Sequence, residues 1–351
     1  MTETPTDNHK RSPRPATLAD VGALAGVSSA TASRVLNGDN RRVAEHLRIR
    51  VLAAAEQLDY VPNAHAQALM RVETHTVGVL TLDMNNPYFV EVFTGIFSVA
   101  KETGRLVTLG NVGADRRDEV SYIALLRSQR VGALILTGTG TTDAAHTARM
   151  RAQISGFRGA GGRVSLIGRH DIEGDAVRPD NVGGARAAAT ALLELGHREV
   201  GIISGTETAT VTIDRTDPFA DVYEDGGYPI SLRRIVRGNY LREGGAHAMA
   251  ELLDRAPEIT AVYCVNDAMA IGALGLLRER GVDVPGRMSV VGFEDIMLSR
   301  EVTPALSTVH LPMAEMGESA MRLLLEPSPD APRTVRFPTR LCLRGTTASP
   351  R

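Results

Sequence analysis

Between residues 17 and 60, apolar positions recur every three or four residues, in short runs broken by small and polar ones. Leu18, Val21, Leu24 and Ala25 share one helical face, and Thr17 with Asp20 three residues on gives a capping-box start. Ala25-Gly26-Val27 is too short for a full loop. Ser28 can cap a second helix that turns Ala32, Val35 and Leu36 inward. Ser29, Ala30, Ser33, Arg34 and Asn37 then face outward, since residues three, four and five apart share a side. Leu47, Val51 and Leu58 predict a third helix over about 44–58, closing a three-helix core; Ala44 at its start offers no capping side chain. Pro62 breaks the chain, and Asn63 can cap one more short helix, 64–70, too short to be stable alone in water.

Beyond residue 75 the period changes. Apolar runs of strand length at 76–82, 106–109, 132–136, 164–168, 200–204, 234–236, 261–264 and 289–293 alternate with helical patterns. Those patterns fall at 89–102, 118–129, 183–195, 243–253, 267–280 and 312–325. Strands apolar on both faces, alternating with helices, predict parallel sheets covered on each side. The fold class is therefore α/β, with an all-α helix-turn-helix headpiece before a body built of parallel sheets. A length of 351 residues fits two or three domains. The expected boundaries are a disordered tail at 1–15, headpiece at 16–61, hinge helix and linker at 62–75, and body at 76–351.

Composition narrows the picture. The first 16 residues are polar and Pro-rich, so they predict a tail rather than a signal peptide or anchor, with Lys10, Arg11 and Arg14 able to touch phosphates. No apolar run reaches the ~18 residues a membrane helix needs, so no membrane partner is expected. The formal charge of −2 hides an asymmetry: between residues 10 and 50, eight basic side chains against three acidic ones leave +5, and −7 elsewhere. A basic segment on an acidic body fits a DNA reader. Cys264 and Cys342 read as free thiols in a reducing cytoplasm. The nine histidines lack ligand spacing, so neither a metal nor a cofactor is expected.

Enzyme readings fail. Gly138-Thr139-Gly140 follows a strand, but Asp143 stands where a dinucleotide fingerprint needs its third glycine. No Walker-type loop, nucleophile motif or outstanding carboxylate pair occurs. In open α/β lobes, ligands bind beyond the carboxyl ends of strands. Tyr88, Arg169, Tyr240 and Asp267 all fall there, and Arg215 lies farther along after 202–203. Two guanidinium forks, a carboxylate and two aromatic faces suit sugar or nucleoside hydroxyls and ring faces. The plainer alternatives are a helix cap for Asp267, surface ion pairs for the arginines and lobe packing for Tyr88.

The ordered set Leu18-Ala19-Asp20-Val21, Ala25-Gly26-Val27-Ser28, Ser33-Arg34-Val35-Leu36-Asn37 and Tyr60-Val61-Pro62-Asn63 resembles the headpiece of the lactose-repressor (LacI/GalR) family of bacterial transcription regulators. The likeness continues through Asn86-Pro87-Tyr88-Phe89, Asn266-Asp267-Ala268-Met269 and Val291-Gly292-Phe293-Glu294-Asp295. It implies a periplasmic-binding-protein-like body of two lobes with an effector in the cleft between them. It implies a homodimer on a palindromic double-stranded operator, more a repressor than an activator or dual regulator, acting in the cytoplasm on the nucleoid. The DNA-binding set it implies is Thr17, Ser28, Ser29, Ala30, Thr31, Ser33, Arg34 and Asn37, with Asn63, Ala66 and Leu69 from the hinge. Leu69 matches a leucine that wedges into the minor groove. Arg169, Arg215 and Asp267 match effector-contacting positions, and Tyr240 an aromatic that stacks on the effector. Asp217-Pro218-Phe219 departs from the family by lacking a glycine, so the stretch near Arg215 is expected to be a reshaped loop.

Overall fold

Thr17 starts the first helix, α1 (Leu18–Ala25), with a closed capping box. Its hydroxyl accepts from the Asp20 amide at 3.3 Å, and the Asp20 carboxylate accepts from the Thr17 amide at 2.8 Å. This is a computed structural model, and it describes residues 14, 16–36, 43–60, 75–113, 116–327 and 331–351. The expected hinge helix and the side chains of Asn37, Asn63, Ala66 and Leu69 lie outside the described residues. The chain divides into two compact units, Met1–Thr74 and His75–Arg351.

In the first unit, α1 ends at Gly26 in the left-handed region at φ 63°. The positive φ is what calls for glycine in this tight turn, since a Cβ there would meet only the movable guanidinium end of Arg50, 2.4 Å away. Ser28 Oγ accepts from the Thr31 amide at 3.2 Å and opens α2 (Ser29–Leu36). The third helix, α3 (Glu45–Gln57), starts at Ala44 without a side-chain cap. Val21, Ala25, Ala32, Val35, Val51, Ala54 and Ala55 form the core, sealed by Leu18, Leu36, Leu58 and Tyr60. Leu24 departs from expectation and is 46% exposed. At about 100° per residue it lies on the flank of Val21 away from Leu18 and Ala25, and Gly22 takes the inward place.

The second unit contains two lobes. The first carries β1 (Thr76–Thr81), α4 (Pro87–Glu102), β2 (Leu106–Asn111), α5 (Glu119–Ser128), β3 (Ala133–Leu136), α6 (Ala144–Gly159), β4 (Arg163–Ile167) and β5 (Asp175–Pro179). The chain crosses to the second lobe for α7 (Asn181–Glu194), β6 (Val200–Ser204), α8 (Thr210–Asp225), β7 (Ile235–Arg237), α9 (Arg242–Arg255), β8 (Ala261–Cys264), α10 (Asp267–Glu279), β9 (Ser289–Val291), α11 (Leu298–Glu301) and β10 (Thr308–His310). It returns for α12 (Met313–Leu325) and β11 (Thr334–Phe337), then crosses again for β12 (Arg340–Cys342). The first sheet runs β11-β5-β4-β3-β1-β2 and the second β7-β6-β8-β9, every pairing parallel. Residues 77–81 and 200–204 are buried at every position, as strands covered on both faces must be.

The stretch near Arg215 is a correction. It is not a loop: α8 runs through Pro218. Interior proline costs about 3 kcal/mol or more, but Arg215, Phe219 and Tyr223 form a fully inward stripe at helical spacing. Phe219 stacks on Tyr263 at 4.2 Å between centroids and on Tyr223 at 5.3 Å. Tertiary packing holds the helix where local preference opposes it. The strands β5, β10, β11 and β12 and the helix α6 also lie where no element was expected. Both cysteines are free, Cys264 buried and Cys342 half-buried.

Candidate functional site

The headpiece presents one face of α2. Ser28, Ser29, Ala30 and Arg34 are exposed, Thr31 and Ser33 are half-buried, and Ala32 and Val35 fill the core behind them. Thr17 is exposed at the start of α1. Ser28 Oγ is 2.9 Å from Thr31 Oγ1, so those hydroxyls also shape the helix start. The outward side thus offers small groups and one long guanidinium, a profile that fits a major groove.

In the second unit a cleft opens between the lobes at the carboxyl ends of the strands. It holds about 990 Å³ of empty space counted out to its mouth. Tyr88, Arg169, Arg215 and Tyr240 all line it, joined by Glu294, Asn181, Asp214 and Arg116. The lobes are stitched beside it. Thr139 Oγ1 is 2.7 Å from Thr210 Oγ1, the Thr142 amide donates to Thr208 O at 2.8 Å, and Arg169 bridges to Asp214 at 2.7 Å.

Arg215 is the hub of the cleft floor. Its Nε donates to Asn181 Oδ1 at 3.0 Å, its Nη1 to Val265 O at 2.7 Å and to Glu294 Oε1 at 3.0 Å. The guanidinium lies 4.1 Å over the Phe293 ring. Four contacts from three separate segments, at 181, 265 and 293–294, therefore fix its direction. Tyr240 takes a left-handed backbone at φ 65°. Its hydroxyl bonds Thr212, its carbonyl accepts from Asn266 Nδ2 at 2.9 Å, and its ring fills the space a Cβ on Gly205 would need. Burial and the charge of Glu294 push the Tyr88 hydroxyl pKa up, so it stays a neutral donor and acceptor.

Asp267 is placed differently. It does not line the cleft and is fully buried. The cap of α10 is its neighbour Asn266, which accepts from the Met269 amide. Asp267 instead accepts from Thr308 Oγ1 and from the Ile296 amide, at 3.0 Å, and its own amide donates to Phe293 O at 2.8 Å. It ties down the segment that carries Glu294.

Glu294, like Asn181, Asp214 and Arg116, lines the cleft without having been singled out from the sequence. It follows β9, so the strand-end rule pointed near it, but its direction comes from a backbone φ of 111°. That conformation is costly for a non-glycine residue and is clamped by Glu294 N to Val309 O and Leu311 N to Glu294 O. Burial raises its carboxyl to about 7 against the pull of Arg215. The folded chain therefore holds an extra proton between the ordinary carboxylate range and pH 7. The stability this contributes is full at acid pH and lost as pH rises through 7. Thermal melts of wild type minus Glu294→Gln should show that slope between pH 5 and 8, and a flat difference would contradict the assignment.

Behind the cleft, Arg116 bridges Glu119 at 3.0 Å, and Glu119 meets His146 Nε2 at 2.9 Å. Burial works against ionisation of Glu119, but the His146 bond and Arg116 charge bring it down to about 2. Burial, with Arg116 adding to it, pushes His170 down to about 4.

Residues 17–63 match the family described as bacterial regulatory proteins, lacI family, and residues 189–347 a periplasmic binding protein-like domain. The HTH-type transcriptional regulator GalR of Escherichia coli K12 is 36% identical over 312 residues, 88% of each chain. The chain belongs to the LacI family of bacterial regulatory proteins. Another LacI-family relative, the HTH-type transcriptional repressor PurR of Proteus mirabilis, is 33% identical over 89% of this chain and 90% of its own. Among solved structures, a lac repressor dimer bound to operator and an anti-inducer superposes with a TM-score of 0.81 at 25% identity, over 95% of this chain and 100% of that one. A complex of the regulator CelR with cellobiose gives 0.69 at 28% identity, over 94% and 99%. As a LacI-family member the chain is a DNA-binding transcriptional regulator with an effector domain.

Proposed function

We propose that this regulator is a repressor that binds an approximately palindromic operator as a homodimer and is switched by a sugar or related metabolite in the cleft. The observation that carries the reading is that one chain pairs the exposed face of α2 with a cleft whose floor is the Arg215–Glu294 pair. Relatives named as repressors, and solved neighbours with operator, cellobiose or ribose bound, support it. Ser29, Ala30, Ser33 and Arg34 read bases, while Thr17, Ser28 and Thr31 meet the backbone. Asn37, Asn63, Ala66 and Leu69 complete the DNA contact. Tyr88, Arg169, Arg215, Tyr240 and Glu294 hold the effector, with Asp267 acting from behind through the segment it ties. The protein is a cytoplasmic regulator rather than an enzyme.

A two-fold protein requires a two-fold site. Selection from a random duplex pool with the full chain should therefore enrich a sequence with two inverted half-sites. Recovery of no common sequence would reject the proposal.

A further inference from the structure

Helix α8 starts without a cap of its own. Its N-cap residue is Ala209, which makes no side-chain cap bond. Four amides at a helix start lack partners within the helix. Here the Ala209 amide donates to Thr206 O at 3.1 Å and the Thr212 amide to Ala209 O at 3.0 Å, both inside the second lobe. The other two cross to the first lobe. The Thr210 amide donates to Gly140 O at 3.0 Å, and the Val211 amide to Thr139 Oγ1 at 2.9 Å. The loop after β3 thus serves as the missing cap of a helix in the other lobe.

The hydroxyls extend the tie. Thr210 Oγ1 donates its one proton to Arg169 O at 2.7 Å, so in its 2.7 Å contact with Thr139 Oγ1 it accepts. Donation therefore runs from the Val211 amide to Thr139, from Thr139 to Thr210, and from Thr210 to Arg169 O, crossing between lobes at each step. Bonds in such a chain polarise one another. The Thr142 amide adds a bond to Thr208 O at 2.8 Å, and Thr141 with Ala209 forms an antiparallel bridge. Thr210 is 4% exposed and Gly140 is buried, so water does not readily replace these bonds. The first-lobe side is braced, since Arg116 Nη1 also donates to Gly140 O at 3.1 Å. The Arg169–Asp214 pair beside the strap is part-exposed and adds little.

Every partner in this strap is a protein group, so closing the lobes caps α8 and opening them uncaps it. We infer, resting on the cleft as the effector site, that the 139–142 loop is an interlobe helix cap that holds the cleft toward closure before an effector arrives. It sets the resting point of the switch. The helix it caps also carries Arg215, the hub of the cleft floor.

The test is hydrogen exchange at the Thr142 amide of the full chain without sugar, read by fragmentation mass spectrometry in two variants. Thr139→Val removes the hydroxyl that caps α8 from the first lobe. Ala209→Ser gives α8 a cap of its own, which serves the Val211 amide with the lobes apart. Both should speed Thr142 exchange by roughly 2- to 30-fold, the worth of one helix cap. Thr142 is altered in neither, and Ala209→Ser adds a cap, so faster exchange there does not come from a weakened helix. If Thr139 only props α8, Thr142 exchange stays as in wild type. Unchanged exchange in either variant, or slower exchange in Ala209→Ser, would therefore overturn the inference. Duplex affinity of the same variants without sugar tests the regulatory half. A sugar held between the lobes favours closure and these variants favour opening, so affinity should move opposite to the way a saturating sugar moves it. Affinity that follows a bound sugar but ignores both variants would overturn the strap as a setting of the switch and leave the effector site standing. Affinity indifferent to the variants and to every sugar shown by calorimetry to bind would overturn both readings.

Discussion

Arg34→Ala should cut the preference for operator over random duplex by roughly 10- to 100-fold, the worth of one bidentate base contact. Arg34 is the one long cationic side chain among the exposed α2 positions Ser29, Ala30 and Arg34. Its neighbours Ala32 and Val35 are buried, so truncation at Arg34 leaves the headpiece core intact. Binding to phosphates by other basic groups persists, and it weakens steeply with salt because it depends on counterion release. Competition assays at two salt concentrations separate these effects. Unchanged discrimination would remove Arg34 from base reading.

Arg215→Ala should abolish the effector response and destabilise the body by about 3–5 kcal/mol, the cost of leaving one member of a buried ion pair alone. Both partners are almost wholly enclosed, with side-chain exposures of 4% and 7%. The same change empties the place over the Phe293 ring and strips Asn181 Oδ1 of its donor. Glu294 then answers by taking a proton, so the loss is smaller at pH 6 than at pH 8. Adding Glu294→Gln to Arg215→Ala should recover part of the stability and none of the response. Denaturant melts and duplex affinity with and without sugar measure the two outcomes. A variant that still responds would show that Arg215 only props the lobes.

The headpiece was legible because its signals are local. Thr17 with Asp20, Gly26 and Ser28 each act within a few residues, and the apolar stripe follows from helix period alone. Leu24 was misplaced because a spacing of three defines a neighbour and not the centre of the buried stripe. In the body, strands buried on both faces announced themselves, whereas β5, β10, β11 and β12 run three to five residues without a clear apolar run. Pro218 hid α8 because its breaking tendency is local and the Phe219–Tyr263 stack that outweighs it is not. The strand-end rule placed Tyr88, Arg169 and Tyr240 in the cleft. It gives position but not direction, so it could not tell that Asp267 turns toward Thr308 or that a φ of 111° turns Glu294 into the opening.

Lobe closure matters to the headpiece only if the ligand prefers one of two states of the body. The decisive measurement is therefore the duplex affinity of the full chain, by fluorescence anisotropy, with the cleft empty and with it saturated by a sugar whose binding is verified by calorimetry. A change of roughly 5- to 150-fold, the usual range of allosteric coupling, is the predicted result. Identical affinities with the sugar demonstrably bound would contradict it.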